Sequence, residues 1–431
     1  MTALQEPPPI RARLSAEALA AGAVGNLLEW YDFGLYGLFA PVLAPLFFPS
    51  ADPLASLIGA YGGFALGFAV RPLGGAVLGH LGDRIGRGFV LIASVVLMGA
   101  ATSAMALLPS YHRIGIAAPI LLLLVRILQG FSVGGEFTGS VCYLVETAPP
   151  GRRGLAGSFA NIGSTSGVLL AAGIAAATVT LAGDTPAREW AWRLPFLFGG
   201  VLALLAYLVR RRLIHSGPTP KIPASKDQPP PLRQALRQSP RAMVYAVLFT
   251  SGYGVVNYLT MVFLPTFASQ FGGIAESTAL RANTAAQAVA LCVVPLAGWA
   301  TDRWLRRRTM LMIAFIAETA VAWAAFALIR HDGAAALWPA QILFGALLAL
   351  VMGTAPAMLS ELFRRDYRLS GYSVSFNIGI GIAGGTAPLI ATALILVTGN
   401  PLAPAWYLMA AGALAAGAAF LMTDRSRQPL Q

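Results

Sequence analysis

A chain that returns twelve times to an apolar run of about 20 residues, the length that carries an α-helix across a hydrocarbon layer, has few folds open to it. The runs fall at about 17 to 44, 54 to 79, 89 to 109, 115 to 145, 155 to 182, 192 to 209, 242 to 270, 279 to 301, 309 to 329, 335 to 360, 370 to 398 and 404 to 422, each end placed to within several residues. Composition agrees with a membrane location: 57% of the residues are hydrophobic, 11% are charged and the mean hydropathy is +0.68. With no water to serve the backbone, each segment must satisfy its own N–H and C=O groups, which leaves a bundle of helices. The fold expected is therefore all-α and integral to the membrane, with twelve transmembrane helices.

Two turns show that the bundle is duplicated. Gly79 to Gly88 reads GHLGDRIGRG, and Gly298 to Arg308 reads GWATDRWLRRR, so Asp302 and Arg303 repeat Asp83 and Arg84 between similar apolar flanks. A repeat of about half the chain predicts two pseudo-symmetric six-helix halves meeting at a midplane site. The first half is expected over 17–209 and the second over 242–422, joined by a Pro-rich, basic linker over 210–241, with tails over 1–16 and 423–431.

With both termini placed in the cytoplasm, 23 of the 30 Lys and Arg fall in cytoplasmic segments, five outside and two, Arg71 and Arg126, within the membrane. The positive-inside rule then predicts a multi-pass protein of the bacterial inner membrane with both termini cytoplasmic. The basic residues form no single stripe, so nucleic acid is not an expected partner. Clusters beside the membrane point to lipid instead, and the chain is expected to act as a monomer. Trp190, Trp192 and Arg193 look like interfacial anchors.

Chemistry is concentrated where charge interrupts the apolar runs. GNLLEWYDFGLYG places Glu29 and Asp32 one turn apart, with Asn26 on an adjacent part of that face. Acids this deep are costly and functional by default, which makes Asp32 and Glu29 the candidate proton-coupling residues; the other reading pairs them structurally with Arg71 or Arg126. Arg71 precedes Pro72 and has two candidate partners, a substrate carboxylate or an internal acid. Arg126 and Gln129 share a face, and the planar fork of Arg126 suits a substrate carboxylate or a structural pair equally. Asn161, Tyr253, Asn257, Tyr258 and Asn377 complete the candidate substrate-binding set, with Gln287 weaker; Glu318 has no evident partner. A gate is expected at the cytoplasmic end from Gly79, Asp83, Arg84, Arg87, Glu136, Glu146 and Arg152 in the first half and Asp302, Arg303 and Glu361 in the second.

No cofactor is called for. The only lysines, Lys221 and Lys226, lie in no phosphate-binding G-x-x-x-x-G-K-[ST] loop, and the four histidines sit near helix ends without metal-ligand spacing. Without an ATP site, transport must be passive or ion-coupled, and the buried acids favour protons. No nucleophile, base and orienting group converge, so an enzyme is not expected.

GNLLEWYDFGLYG, RPLGG before GHLGDRIGRG, RILQGFSVGGEFTGS, EWAWRLPF and TDRWLRRR together resemble the major facilitator superfamily. More narrowly they resemble its metabolite:proton symporter family, which includes citrate, 2-oxoglutarate, shikimate and proline/betaine carriers. The resemblance covers nearly the whole chain and implies proton-coupled uptake of a small carboxylate-bearing metabolite by alternating access. A drug/proton antiporter of the same superfamily is the alternative. The family's first loop usually continues Arg-Lys or Arg-Arg after its second Gly; here Arg87 is followed by Gly88 and Phe89, which weakens one basic contact of the gate.

Overall fold

The computed structural model describes residues 16–74, 77, 87–133, 136–182, 190–216 and 231–430, and for 16–25, 87–91, 136, 209, 210 and 212–216 it describes the main chain alone. Within that range the protein is helical. Helix α1 runs Ala16–Leu38 and continues as Ala40–Phe47; α2 spans Pro53–Gly74, α3 Arg87–Leu107, and α4 two pieces, Ala117–Ser132 and Glu136–Thr147. Then come α5 (Arg153–Ala182), α6 (Arg193–Ser216), α7 (Pro240–Phe271), α8 (Glu276–Arg303), α9 (Arg307–Asp332), α10 (Ala334–Glu361), α11 (Arg368–Thr398) and α12 (Ala403–Leu421). Among the described residues nine helices are long and apolar enough to cross a membrane; α1, α3 and α6, the last two apolar over shorter stretches, complete the twelve. Within the expected linker α6 runs on through Arg210 to Ser216, and a short helix, Pro231–Gln238, precedes α7. Pro231 and Pro240 each open a helix at its first position, where the missing N–H costs nothing.

The duplication is visible in packing. In the first half α1 lies on α5 and α6, α3 on α6 and α4, and α2 on α4. Each pair recurs six helices later: α7 on α11 and α12, α9 on α12 and α10, and α8 on α10. The halves meet along α2–α11 and α5–α8, two contacts that exchange under the same operation.

Close helix approach depends on glycine. A Cβ at Gly130 in α4 would stand 1.9 Å from the carbonyl oxygen of Gly67 in α2, whereas one at Gly62 would meet nothing within 4 Å. Gly130→Ala must push the two backbones apart and should cost about 1–3 kcal/mol, read as a lower Tm in detergent, while Gly62→Ala leaves the melt unchanged. An unaltered Tm for Gly130→Ala would mean that α2 and α4 do not pack this tightly.

Prolines do not leave carbonyls stranded. Pro265 removes the bond that Met261 O would accept, and α7 relaxes into a π-turn over Leu259–Phe263. Asn283 Nδ2 then donates to Met261 O at 3.1 Å, and Gln341 Nε2 to Thr260 O at 2.9 Å. Likewise Pro356 frees Met352 O in α10, which Asn161 Nδ2 of α5 reaches at 2.5 Å, a bond between the halves. Trp192 corrects an expectation: it is buried against Phe47 and Phe196 and is not an exposed anchor, because α6 turns it inward, while Trp190 stays exposed.

Candidate functional site

The acids of α1 sit at the centre of the first half with both membrane arginines as partners. Glu29 is ion-paired with Arg71, both buried, and the Arg71 guanidinium lies 5.1 Å from the Phe68 ring centre. Asp32 is fully buried: its Oδ1 accepts from Thr102 Oγ1 and Gln129 Nε2, each at 2.7 Å, and its Oδ2 lies 3.5 Å from Arg126 Nη1. Arg126 also donates to Gln129 Oε1 at 2.9 Å and to Gly63 O at 3.4 Å, with its plane 4.3 Å from the Tyr36 ring and 4.6 Å from Phe33. Both arginines therefore have internal acids as partners here, and their charge is balanced inside the half. Asn26 donates to Ser140 Oγ at 3.1 Å and Ala160 O at 3.4 Å, tying α1 to α4 and α5.

Beside this layer, between the halves, lies a cavity. Its walls are aromatic, from Trp30, Phe33, Phe137, Tyr253, Tyr258 and Phe376, with Asn161, Thr165, Asn257 and Gln287 as its polar groups and no charged side chain among the described residues of its lining. Phe137 of α4 stacks on Phe376 of α11 at 5.0 Å, and Trp30 meets Phe137 edge-on at 6.3 Å. Opposite, Tyr258 packs on Phe64 and Phe68 at 5.4 and 5.2 Å, and the Tyr61 and Thr266 hydroxyls bond at 2.9 Å. Of the expected substrate-binding residues, Asn161, Tyr253, Asn257 and Tyr258 line the cavity. Asn26, Arg71, Arg126 and Gln129 do not line it, though both arginines lie against Phe33 of its wall, and Asn377 is turned to Ser373, donating to its carbonyl at 2.9 Å. Trp30, Phe137 and Phe376 were not anticipated; each adjoins a polar residue that was, Glu29, Glu136 and Asn377.

The end of the bundle that carries most of the arginines, its basic end, is held shut by ion pairs between halves. Glu361 at the end of α10 binds Arg153 at 2.8 Å and also Arg307. Glu146 at the end of α4 binds Arg368 at the start of α11. These are one motif used twice, since Glu146 and Arg153 are spaced as Glu361 and Arg368 are, and each Glu pairs with the other half's Arg. Asp302 accepts from Gly154 N and Leu155 N at 2.8 Å each and from Arg307 Nη2 at 3.0 Å, so the last turn of α8 caps the N-terminus of α5. Two facing glycines permit this, for a Cβ on Gly298 would lie 2.6 Å from Gly154 O.

Of the residues expected at a gate, Glu146, Asp302 and Glu361 make contacts between the halves, whereas Arg152 and Arg303 are exposed. Arg152 is exposed just ahead of α5, and Arg153, one residue on, faces α10 in its place. Arg303 is exposed over Trp299 at the end of α8, and Arg307 four residues later supplies the charge. Gly79, Asp83 and Arg84 lie outside the described residues, as do the side chains of Arg87 and Glu136. The chain beyond α12 joins the same network: Arg153 Nη2 donates to Gln428 O at 2.5 Å and Arg308 N to Asp424 Oδ2 at 2.9 Å. Burial alone would raise the Asp424 carboxyl, but bonds from Ser426 and Arg308 and the charge of Arg307 hold it below its usual range.

The "Sugar (and other) transporter" family model matches residues 18–213 and the "Major Facilitator Superfamily" model residues 253–431. The glycine betaine/proline/ectoine/pipecolic acid transporter OusA of Dickeya dadantii is 32% identical over 96% of this chain and 84% of its own. A proline/betaine transporter of Salmonella typhimurium is 32% identical over 96% and 85%. Among solved structures, a D-xylose-proton symporter superposes with a TM-score of 0.75 at 18% identity, covering 96% of this chain and 99% of its own, and the partially occluded inward-open xylose transporter XylE of E. coli with 0.72 at 17%, covering 94% and 96%. A duplicated twelve-helix bundle closed over a central cavity, with transporters as its relatives, is a multi-pass secondary transporter and not an enzyme. The chain belongs to the major facilitator superfamily and, within it, to the family of these proline/betaine transporters.

Proposed function

We propose that the protein takes up a small zwitterion, a carboxylate joined to a quaternary or cyclic ammonium group, in symport with protons. The observation that carries this reading is the cavity itself, aromatic on its walls and, among the described residues, free of lining charge. An organic di- or tricarboxylate would arrive there with uncompensated charge, whereas an ammonium centre finds the ring faces that attract it. The names of the relatives agree. The basic end then faces the cytoplasm of a bacterial cell, and the opposite end receives the solute.

The acid layer gives a route to coupling. A proton on Asp32 cancels the charge that holds Arg126, and a proton on Glu29 does the same for Arg71. Either arginine, released just behind the cavity wall, then attracts the carboxylate of the solute. Solute and proton favour one another's binding in this way, as a symporter requires.

Proteoliposomes given an inward pH gradient should accumulate labelled glycine betaine or proline, with competition between the two and little by citrate or 2-oxoglutarate. No accumulation, together with cellular resistance to hydrophobic cations, would instead identify a drug exporter. Phe137→Leu, which keeps apolar bulk and removes the ring, should weaken glycine betaine binding by about 0.5–2 kcal/mol, roughly 2- to 30-fold. Unchanged affinity would place the ammonium group elsewhere.

A further inference from the structure

One buried acid is left over from this scheme. Glu318 sits near the middle of α9, about 16 Å from Arg307 and about 21 Å from Asp332 at 1.5 Å per residue. It is 0% exposed, and neither carboxyl oxygen has a hydrogen-bond partner among the described residues. An ionised carboxylate in that state costs far more than the proton that neutralises it, so in this closed arrangement Glu318 is in its acid form.

The surroundings narrow what that proton can do. α10 and α12 pack along α9, and α7 meets it through Phe249 on Phe315 and Phe267 on Phe326. α12 carries one titratable group, Tyr407, and α10 only Glu361 at its end. α9 keeps its other charges, Arg307, Arg308, Arg330, His331 and Asp332, at its two ends. α7 carries Arg241 near its start and Tyr245, Tyr253 and Tyr258 along its length. Of these, Tyr253 stands one turn beyond Phe249, which packs on Phe315 one turn before Glu318, and Tyr253 is also part of the cavity wall. The duplication supplies the parallel: α9 corresponds to α3, whose Thr102 holds Asp32.

We infer that Glu318 is a second proton-binding site of the transport cycle, exchanging its proton with the cavity through the Tyr253 hydroxyl. Loading passes the hydroxyl proton of Tyr253 to the Glu318 carboxylate while cavity water restores a proton to the phenol oxygen; unloading reverses both transfers, and no other bond changes. The inference rests on the proton symport proposed above and adds a carrier in the opposite half from Asp32.

The test is the proton-to-solute ratio in proteoliposomes with glycine betaine as probe, taken from the solute gradient that just balances an imposed pH gradient. Glu318→Gln should lower that ratio by one and reduce accumulation about tenfold per pH unit imposed. An unchanged ratio and pH profile would make Glu318 a permanently protonated structural residue and overturn the inference. Wild-type protein that moves no protons with solute would instead sink the symport reading. A second measurement needs no solute and survives a poorly folding Glu318→Gln: infrared pH-jump spectra of the purified protein. Tyr253→Phe should slow the appearance of one carboxylic-acid carbonyl band by about a hundredfold or more without changing its final size, as expected for the loss of a general acid–base group. A band that appears at the wild-type rate overturns the route through Tyr253.

Discussion

Asp32→Asn is expected to leave the protein exchanging labelled solute across the membrane while cutting accumulation against a gradient about tenfold per pH unit imposed. Asp32 is fully buried and holds Thr102, Gln129 and Arg126 together. Its amide replacement has nearly the same shape and imitates the protonated acid permanently, so the steps that carry solute survive and the step that admits a proton is lost. Each coupled proton sustains about a tenfold solute gradient per pH unit, so loss of the Asp32 proton should remove that factor and leave at most what a proton on Glu318 can drive. Counterflow measures the first property and uptake under an imposed pH gradient the second. A mutant that still accumulates solute with the wild-type pH profile would remove Asp32 from the coupling role, and Glu29, paired with Arg71 one turn away, would take its place in the same assay.

What the sequence made legible follows from what costs most in lipid. Twelve apolar runs had to become helices, and an acid such as Asp32 had to find a partner, so both could be read from residue order. Which arginine answers which acid could not, because Glu29 and Arg71 are brought together by tertiary packing alone. The cavity wall was harder still. Phe137 and Phe376 differ from the lipid-facing aromatics only in which way they point, and at 3.6 residues per turn one position is a rotation of about 100°. The same geometry explains Arg152 and Arg153: the pattern showed that a basic residue belongs at the start of α5, and the first turn of the helix decides which one faces α10. The paired turns were legible as a repeat, while the pairing of each half's Glu with the other half's Arg appears only when the halves face each other.

That crossed pairing sets the largest conformational effect expected. Glu361 is 1% exposed at its side chain and neutralises both Arg153 and Arg307, two cations from different halves. Glu361→Gln leaves both charges buried. Losing one member of a buried pair typically costs about 3–5 kcal/mol; since Asp302 still binds Arg307, the lower value applies, and about 3 kcal/mol corresponds to a shift of about a hundredfold between closed and open states. The basic end should therefore open, and turnover should slow because the cycle must close it again. With Cys142 and Cys292 replaced by serine, a cysteine introduced at Thr165 in the cavity should react with an impermeant thiol reagent from the basic end about a hundredfold faster than in the protein with Glu361 intact. Glu146→Gln removes the matching pair with Arg368, but Glu146 is 32% exposed, so solvent screens the pair, and the buried Arg368 keeps its bonds to Ser360 O and Phe363 O; the increase there should be tenfold or less, of the order of 1 kcal/mol. Equal effects of the two substitutions would mean that burial does not set the strength of these contacts. No effect of either would mean that the seal lies in the aromatic stack of Phe137 on Phe376, and that the ions merely accompany it.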